Sequence, residues 1–154
     1  MKMTVLAAGR VKEKWLLQGI AEYQKRLSKY CEINIIEIQD MPDTLPLDTV
    51  LEQEGKRLLE KIRDRSFVIL LDLTGKKYDS LAFSRMMEKS FEEGGAEILF
   101  VIGGSCGVSQ ELRNRANLRV SLSEMTFTHQ MTRLLLLEQC FRGFRILRGE
   151  PYHK

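Results

Sequence analysis

The sequence predicts a mainly parallel α/β sheet flanked by helices. Short apolar runs rich in β-branched residues alternate along the chain with longer segments whose apolar positions recur at helical spacing, the pattern of strands joined by crossover helices. A glycine-rich stretch, Val101-Ile102-Gly103-Gly104-Ser105-Cys106-Gly107, begins where the fourth apolar run stops, as a ligand loop beyond a strand end does. A dinucleotide fingerprint would follow the first strand and read G-x-G-x-x-G, so a Rossmann assignment fits poorly.

Met3 to Ala8 reads as a buried strand, and Gly9 releases the chain into a helix over Lys12 to Tyr30, with Trp15, Ile20, Tyr23, Leu27 and Tyr30 as its apolar stripe. Four isoleucines within Glu32 to Ile38 favour a strand. Asp48 is placed to cap a helix running to about Arg65, with Leu51, Leu58, Leu59 and Ile62 on its buried side. Phe67 to Leu73 forms the third strand, closed by a turn at Thr74-Gly75. Ser80 is placed to cap a helix through Phe91, which offers Leu81, Phe83, Met86 and Met87 to the core and stops at Gly94-Gly95. After the fourth strand and the glycine loop, Ser109 caps a short helix to about Asn117. Leu118 to Leu122 is the fifth strand, and Thr128 opens a long helix to about Leu147.

The chain has 154 residues and is 44% hydrophobic, which suits one domain over positions 1–154. Its 24 Lys and Arg against 21 Asp and Glu leave a net charge of +3, compatible with nucleic acid but far from a polybasic tail. Cys31, Cys106 and Cys140 are too few and too scattered for a disulfide framework or a zinc knuckle, so a reducing compartment and no metal are expected. With no secretory h-region and no run of membrane-spanning length, the expected location is cytoplasmic, with no membrane partner.

In a parallel sheet ligands sit beyond the carboxyl ends of the strands. That selects Gly9-Arg10, Asp72 to Lys77, Gly103 to Gly107, and Ser123 to His129. The glycine loop is either a backbone cradle for a ligand or a tight turn requiring positive φ. Cys106 could be a nucleophile lowered in pKa by a helix N-terminus, with His129 or His153 as base, or simply a small residue in a turn. The segment Ser121 to Phe127 carries hydroxyls and apolar side chains suited to an adenine pocket, and strand-end packing explains it equally. On the last helix Leu136, Leu137, Cys140, Phe144 and Leu147 mark one side. Arg142 and Arg145 mark the other, with Arg133 earlier, so the arginines form either a solvated face or a stripe contacting phosphates. The terminal Tyr152, His153 and Lys154 combine a stackable ring, an imidazole and an ammonium.

Four motifs occur together: Ile102-Gly103-Gly104-x-x-Gly107, Leu122-Ser123-x-Met125-Thr126-Phe127-x-His129-Gln130-Met131-x-Arg133, Glu138-Gln139-x-Phe141-Arg142, and Arg148-Gly149-Glu150-Pro151-Tyr152-His153-Lys154. In their order and spacing the chain resembles, over essentially its whole length, the RlmH (YbeA-like) family of SPOUT-class ribosomal RNA methyltransferases. The resemblance implies a sheet whose C-terminal part is threaded into a trefoil knot. It implies methyl transfer from S-adenosyl-L-methionine to N3 of a pseudouridine in the intersubunit hairpin loop of bacterial 23S rRNA, by a homodimer acting on the large subunit or the assembled ribosome. By motif, cofactor contacts fall on Leu71, Gly103, Leu122, Ser123, Glu124, Met125, Thr126 and Phe127. Two positions depart from the family pattern: Thr128, where many members carry proline, and Cys106, at a position usually occupied by other residues, which implies that a thiol is not required.

The reaction must align N3 with the methyl group and remove the N3 proton. His153 and His129 are the candidates for that work, with Tyr152 for stacking and Arg133, Arg142 and Lys154 for RNA phosphates. The competing classes are a cysteine-dependent hydrolase centred on Cys106 and a non-catalytic ribosome-binding factor using the arginine stripe.

Overall fold

In the computed structural model, residues 1–151 are described, and five strands form one parallel sheet in the order β2-β1-β4-β3-β5. The strands are β1 (Lys2–Ala8), β2 (Glu32–Ile38), β3 (Val68–Lys77), β4 (Glu97–Ile102) and β5 (Leu118–Ser121). The helices are α1 (Lys14–Leu27), α2 (Leu47–Glu60), α3 (Ser80–Glu93), α4 (Gln110–Arg115) and α5 (His129–Leu147). Tyr152, His153 and Lys154 lie outside the described residues.

Alternation along each strand divides the core into two layers. Met3, Val5 and Ala7 of β1 and Ile98, Phe100 and Ile102 of β4 face α1, α3 and α5, where Leu16, Ile20, Phe83, Met87, Leu136 and Leu137 are buried. Leu6 and Ala8, with Leu99 and Val101, face the opposite way onto Leu58 of α2 and Val108 and Leu112 of the α4 region. Each large side chain buried this way contributes roughly 1.5–3 kcal/mol. Aromatic contacts fasten the far end of α5. Phe144 stacks on Tyr30 with ring centroids 5.4 Å apart, and Phe141 meets Tyr23 and Tyr30 edge-on. The Tyr30 hydroxyl then donates to Glu150 at 2.7 Å, and Glu150 also pairs with Arg145.

Several sequence expectations shift for identifiable reasons. Trp15 is 56% exposed, because the buried stripe of α1 runs through Leu16, Ile20 and Leu27, one residue and so about 100° around from it. Pro46 occupies the N-cap of α2 without a side-chain hydrogen bond, and Asp48 lies in the first turn rather than at the cap. The same helix stops at Glu60 instead of Arg65, and the carbonyls of Arg63, Asp64 and Ser66 turn to accept the Arg115 guanidinium. Asp79, not Ser80, caps α3 through Ala82 N–H, while the Ser80 hydroxyl donates to Gln139; Leu81 faces outward. The third strand continues beyond the Thr74-Gly75 turn. Leu71 and Lys76 both pair with Val120, so residues 72 to 75 bulge out of the ladder.

Arg133 requires the largest correction. Expected among the phosphate contacts, it is 1% exposed and donates to the carbonyls of Ala8 and Gly9 at 2.9 and 2.7 Å and to Glu37 at 2.5 Å. It sits one turn beyond His129, on the side of α5 that meets the ends of β1 and β2. Its charge is consumed inside the fold. Arg133→Ala takes a donor from two carbonyls and leaves Glu37 Oε2 with only the Val11 N–H at 3.0 Å, and it is expected to lower unfolding free energy by about 3–5 kcal/mol in urea titrations. A loss below about 1 kcal/mol would show that the clamp contributes little.

Candidate functional site

The bulge within β3 and the loops after β4 and β5 converge, and between them opens a cavity of about 1220 Å³. Its wall includes Leu71, Gly103, Leu122, Ser123, Met125, Thr126 and Phe127, seven of the eight positions expected to hold a cofactor. Glu124 is the exception: its side chain points away to pair with Lys77 at 2.8 Å and does not line the cavity. Of the four loops selected by the parallel-sheet rule, Gly9-Arg10 is not in this wall, because Arg133 occupies the end of β1.

The glycine loop folds as the tight turn that one reading of its sequence requires. Gly107 has φ +97°, and its N–H donates to Gly104 O at 3.1 Å, so the loop folds back on itself. A Cβ on Gly103 would lie 2.5 Å from Gly107 O, and one on Gly104 would lie 2.6 Å from Glu54 Oε1. The loop is therefore pressed against α2 while its other side forms cavity wall. Glu54 is 4% exposed; its Oε2 accepts from Met41 N–H at 2.8 Å and its Oε1 has no partner among the described residues. Burial raises its carboxyl above the usual range against the Met41 hydrogen bond, and Asp40 and Asp43 push the same way.

The segment after β5 is braced internally. Ser121 Oγ donates to Ser123 O, Ser123 Oγ accepts from Met125 N–H, and Thr128 caps α5 by accepting from Met131 N–H. This holds Met125 and Phe127 outward, 70% and 42% exposed, at the cavity.

His129 lines the cavity, but its Nε2 is buried without a hydrogen-bond partner and faces Gly9, where a Cβ would lie 3.2 Å from it. Burial, reinforced by Arg133, lowers its pKa, so the ring is neutral at pH 7. Cys106 Sγ contacts Asp43 Oδ1 at 3.8 Å and Ser105 Oγ at 4.0 Å, and among the described residues no imidazole is a partner. Arg142 is held by Glu138 at 2.6 Å, one turn back along α5. Among the described residues no cluster of three or more His, Cys, Asp or Glu is arranged to hold a metal, and no helix is long and apolar enough to cross a membrane.

Sequence reasoning missed two participants: Trp15 lines the cavity instead of the core, and Glu54 backs the glycine loop. Asp72 opens one of the selected loops, but the sequence did not show that it gathers Arg113 and Arg119 at the β3 bulge. An acidic residue ending an apolar strand was the visible signal for Asp72; its partners, 41 and 47 positions away, were not visible.

A parallel sheet with its cavity at the ends of β3, β4 and β5, walled by a glycine loop and the segment before α5, defines a class. The family described as "Predicted SPOUT methyltransferase" matches residues 1–153, and the chain belongs to it. It is 50% identical, over an alignment of 159 positions covering all of both chains, to the ribosomal RNA large subunit methyltransferase H of Clostridium botulinum strain Kyoto. It is 45% identical with the same full coverage to the protein of that name from Acetivibrio thermocellus. Among solved structures, a methyltransferase from Legionella pneumophila in complex with bound SAM superposes with a TM-score of 0.51 at 11% identity. That match covers 90% of this chain and 64% of the other.

Glu54 gives a sign-definite pH test. A carboxyl raised in the folded state contributes stability that is present below its unfolded pKa and lost as pH rises through the folded value. Glu54→Gln keeps an acceptor for Met41 and cannot ionise. Its stability relative to the parent is therefore expected to improve from pH 4.5 to 7.5 in urea titrations. A constant difference across that range would refute the burial account.

Proposed function

We propose that this chain is an S-adenosylmethionine-dependent methyltransferase acting on N3 of a pseudouridine in the intersubunit hairpin loop of bacterial 23S rRNA, in the large subunit or the assembled ribosome. The observation that carries the reading is the cavity at the ends of β3, β4 and β5, walled by the positions that the family motifs mark, in a chain related over its full length to ribosomal RNA methyltransferases. The residues present fit the cofactor. Leu71, Leu122, Met125 and Phe127 offer apolar surface for a purine, Gly103 lets backbone approach without a Cβ, and Ser123 and Thr126 bring hydroxyls. Glu124 is left a backbone contribution at most.

S-adenosylmethionine supplies a methyl group already activated for in-line displacement, so the protein needs no nucleophile and no metal. What the chain supplies is alignment and a destination for the N3 proton. Between the two imidazoles, His153 is favoured as acceptor, because His129 Nε2 is enclosed against Gly9 and shapes the entry to α5 instead. Tyr152 stacks on the base, and Lys154 and Arg142 take phosphates.

Chain geometry supports a homodimer. His129 at the cavity and the C-terminal end of α5 are separated by a 19-residue helix, about 28 Å long. Four residues beyond Glu150, fully extended, span about 14 Å at most. The tail cannot return to its own cavity along α5, so the tail at each cavity comes from a second copy, and exposed Trp15, Met125 and Phe127 offer apolar surface for it. A single domain over 1–154, a C-terminal trefoil threading and a cytoplasmic location complete this reading.

Calorimetry with S-adenosylhomocysteine is expected to show metal-independent binding that Gly103→Ala weakens at least tenfold. Deleting residues 152–154 is expected to leave that affinity nearly unchanged while lowering methylation of ribosomes at least a hundredfold. A tail-deleted protein working at the parental rate would move the proton to His129 or to alignment alone. Cys106→Ser is expected to stay within about tenfold of the parent, roughly 1.4 kcal/mol in barrier. Abolished turnover in a folded, cofactor-binding Cys106→Ser protein would favour the hydrolase-type nucleophile. Binding of ribosomes without any methyl incorporation would leave the non-catalytic binding factor.

A further inference from the structure

We propose that Arg113 and Arg119, held together on the buried carboxylate of Asp72, form a phosphate-binding subsite at the rim of the cavity that grips the RNA backbone beside the target nucleotide. The proposal rests on the RNA methyltransferase reading above and adds to it a site on the cavity's own chain, separate from Arg142 and the tail.

Asp72 is the first residue of the β3 bulge, and its side chain is 3% exposed. Every face of the carboxylate is used. Oδ1 accepts from the N–H and hydroxyl of Thr74 at 3.1 and 3.0 Å, while Oδ2 accepts from Arg113 Nε at 2.9 Å and Arg119 Nη1 at 3.2 Å. Burial acts to raise this carboxyl, but the hydrogen bonds of Arg113 and Thr74 outweigh it and hold it below the ordinary carboxylate range. Two guanidiniums therefore meet at one oxygen atom against a single fixed negative charge, and one positive charge remains.

The rest of the geometry turns that charge outward. Arg113 engages Asp72 through Nε, which leaves both terminal nitrogens of its fork for another acceptor, and it lines the cavity together with Asp72 and Thr74. Arg119 uses one terminal nitrogen, shared between Asp72 and the Thr74 hydroxyl. The Arg113 and Arg119 side chains are 31% and 42% exposed. Their backbone is fixed as well: a Cβ on Gly75 would lie 2.6 Å from the Arg119 carbonyl carbon, so the bulge packs directly on β5. A planar guanidinium whose position is set before binding loses little freedom on meeting a phosphate. β3 and β5 are already joined by their backbone ladder, so fastening α4 to them needs only Arg113. The second, half out in solvent at a cavity rim, has an anion as its natural complement.

The experiment uses the full-length protein with Arg113→Gln, Arg119→Gln and the double variant. It measures S-adenosylhomocysteine binding, ribosome binding across a salt series, and methylation. Cofactor affinity is expected to stay within about twofold of the parent, and ribosome affinity of the double variant to fall at least tenfold. The slope of log K against log salt should shrink by about 0.7–0.9 for each contact removed, while Arg119→Lys, which keeps the charge, preserves it. An active parent whose variants bind ribosomes with unchanged affinity and slope overturns the subsite. A tenfold loss of S-adenosylhomocysteine affinity overturns it too, since the arginines would then be holding the cofactor's carboxylate. A parent that neither binds nor methylates ribosomes would sink the functional reading itself, and the subsite with it.

Discussion

The burial of Arg133 is the constraint on which the rest of the structure depends. A guanidinium enclosed in an apolar core is costly unless its donors are met, and here both terminal nitrogens draw α5 onto the carbonyl ends of β1 and the carboxylate of Glu37 on β2, while Nε has no partner among the described residues. That contact fixes where α5 begins. Because Thr128 and His129 open the helix one turn earlier, it also fixes the direction in which residues 121 to 127 cross the sheet's edge. It fills the end of β1 as well, so the open space is displaced toward β4, β3 and β5. The same residue that anchors the helix determines which strand ends are left to form a cavity.

On the other face, the glycine loop depends on Glu54 in a comparable way. Gly103 and Gly104 have no room for a side chain because the loop is folded against itself and against a buried carboxyl. An apolar residue at position 54 would fill the space but leave Met41 N–H without its acceptor. The arrangement places a polar, half-satisfied contact directly behind a cavity wall, where small shifts of the loop can be met by Glu54 Oε1. Stability is reduced there, and a closely fitted backbone is obtained in return.

Most of the fold was legible in the sequence because strand and helix periods differ and because each strand ends at a glycine, proline or polar residue. The five strands and five helices fall where the patterns place them, and caps at Ser109 and Thr128 are as read. What was not legible shares one cause: it depends on partners far apart in the chain. The Trp15 and Leu16 stripes are equally periodic, and only the packing of α1 on α5 chooses between them. Arg133 looks like Arg142 along the sequence, yet Glu37 and the β1 carbonyls meet one and solvent borders the other. The bulge at Asp72 is likewise invisible, since it exists because two arginines from α4 and β5 converge on one oxygen. The cavity residues were found because strand-end loops are local; the electrostatic ties that shape them are not.

The two ends of α5 are fixed by different contacts. Its first turn lines the cavity of its own chain, and its last turn is pinned by Phe141, Phe144 and the Tyr30–Glu150 hydrogen bond about 28 Å away. Gly149, at φ +67°, turns the chain there, and Glu150 N–H closes the turn on Arg145 O at 2.9 Å. The point from which the terminal residues depart is therefore as firmly set as the cavity itself. A tail that must arrive at a second copy's cavity needs its origin held, because every ångström of freedom at Glu150 dilutes the local concentration of the groups beyond it. In the dimer proposed above, the aromatic cluster around Tyr30 bears on catalysis without touching cofactor or base, by fixing the place from which one chain would reach the other.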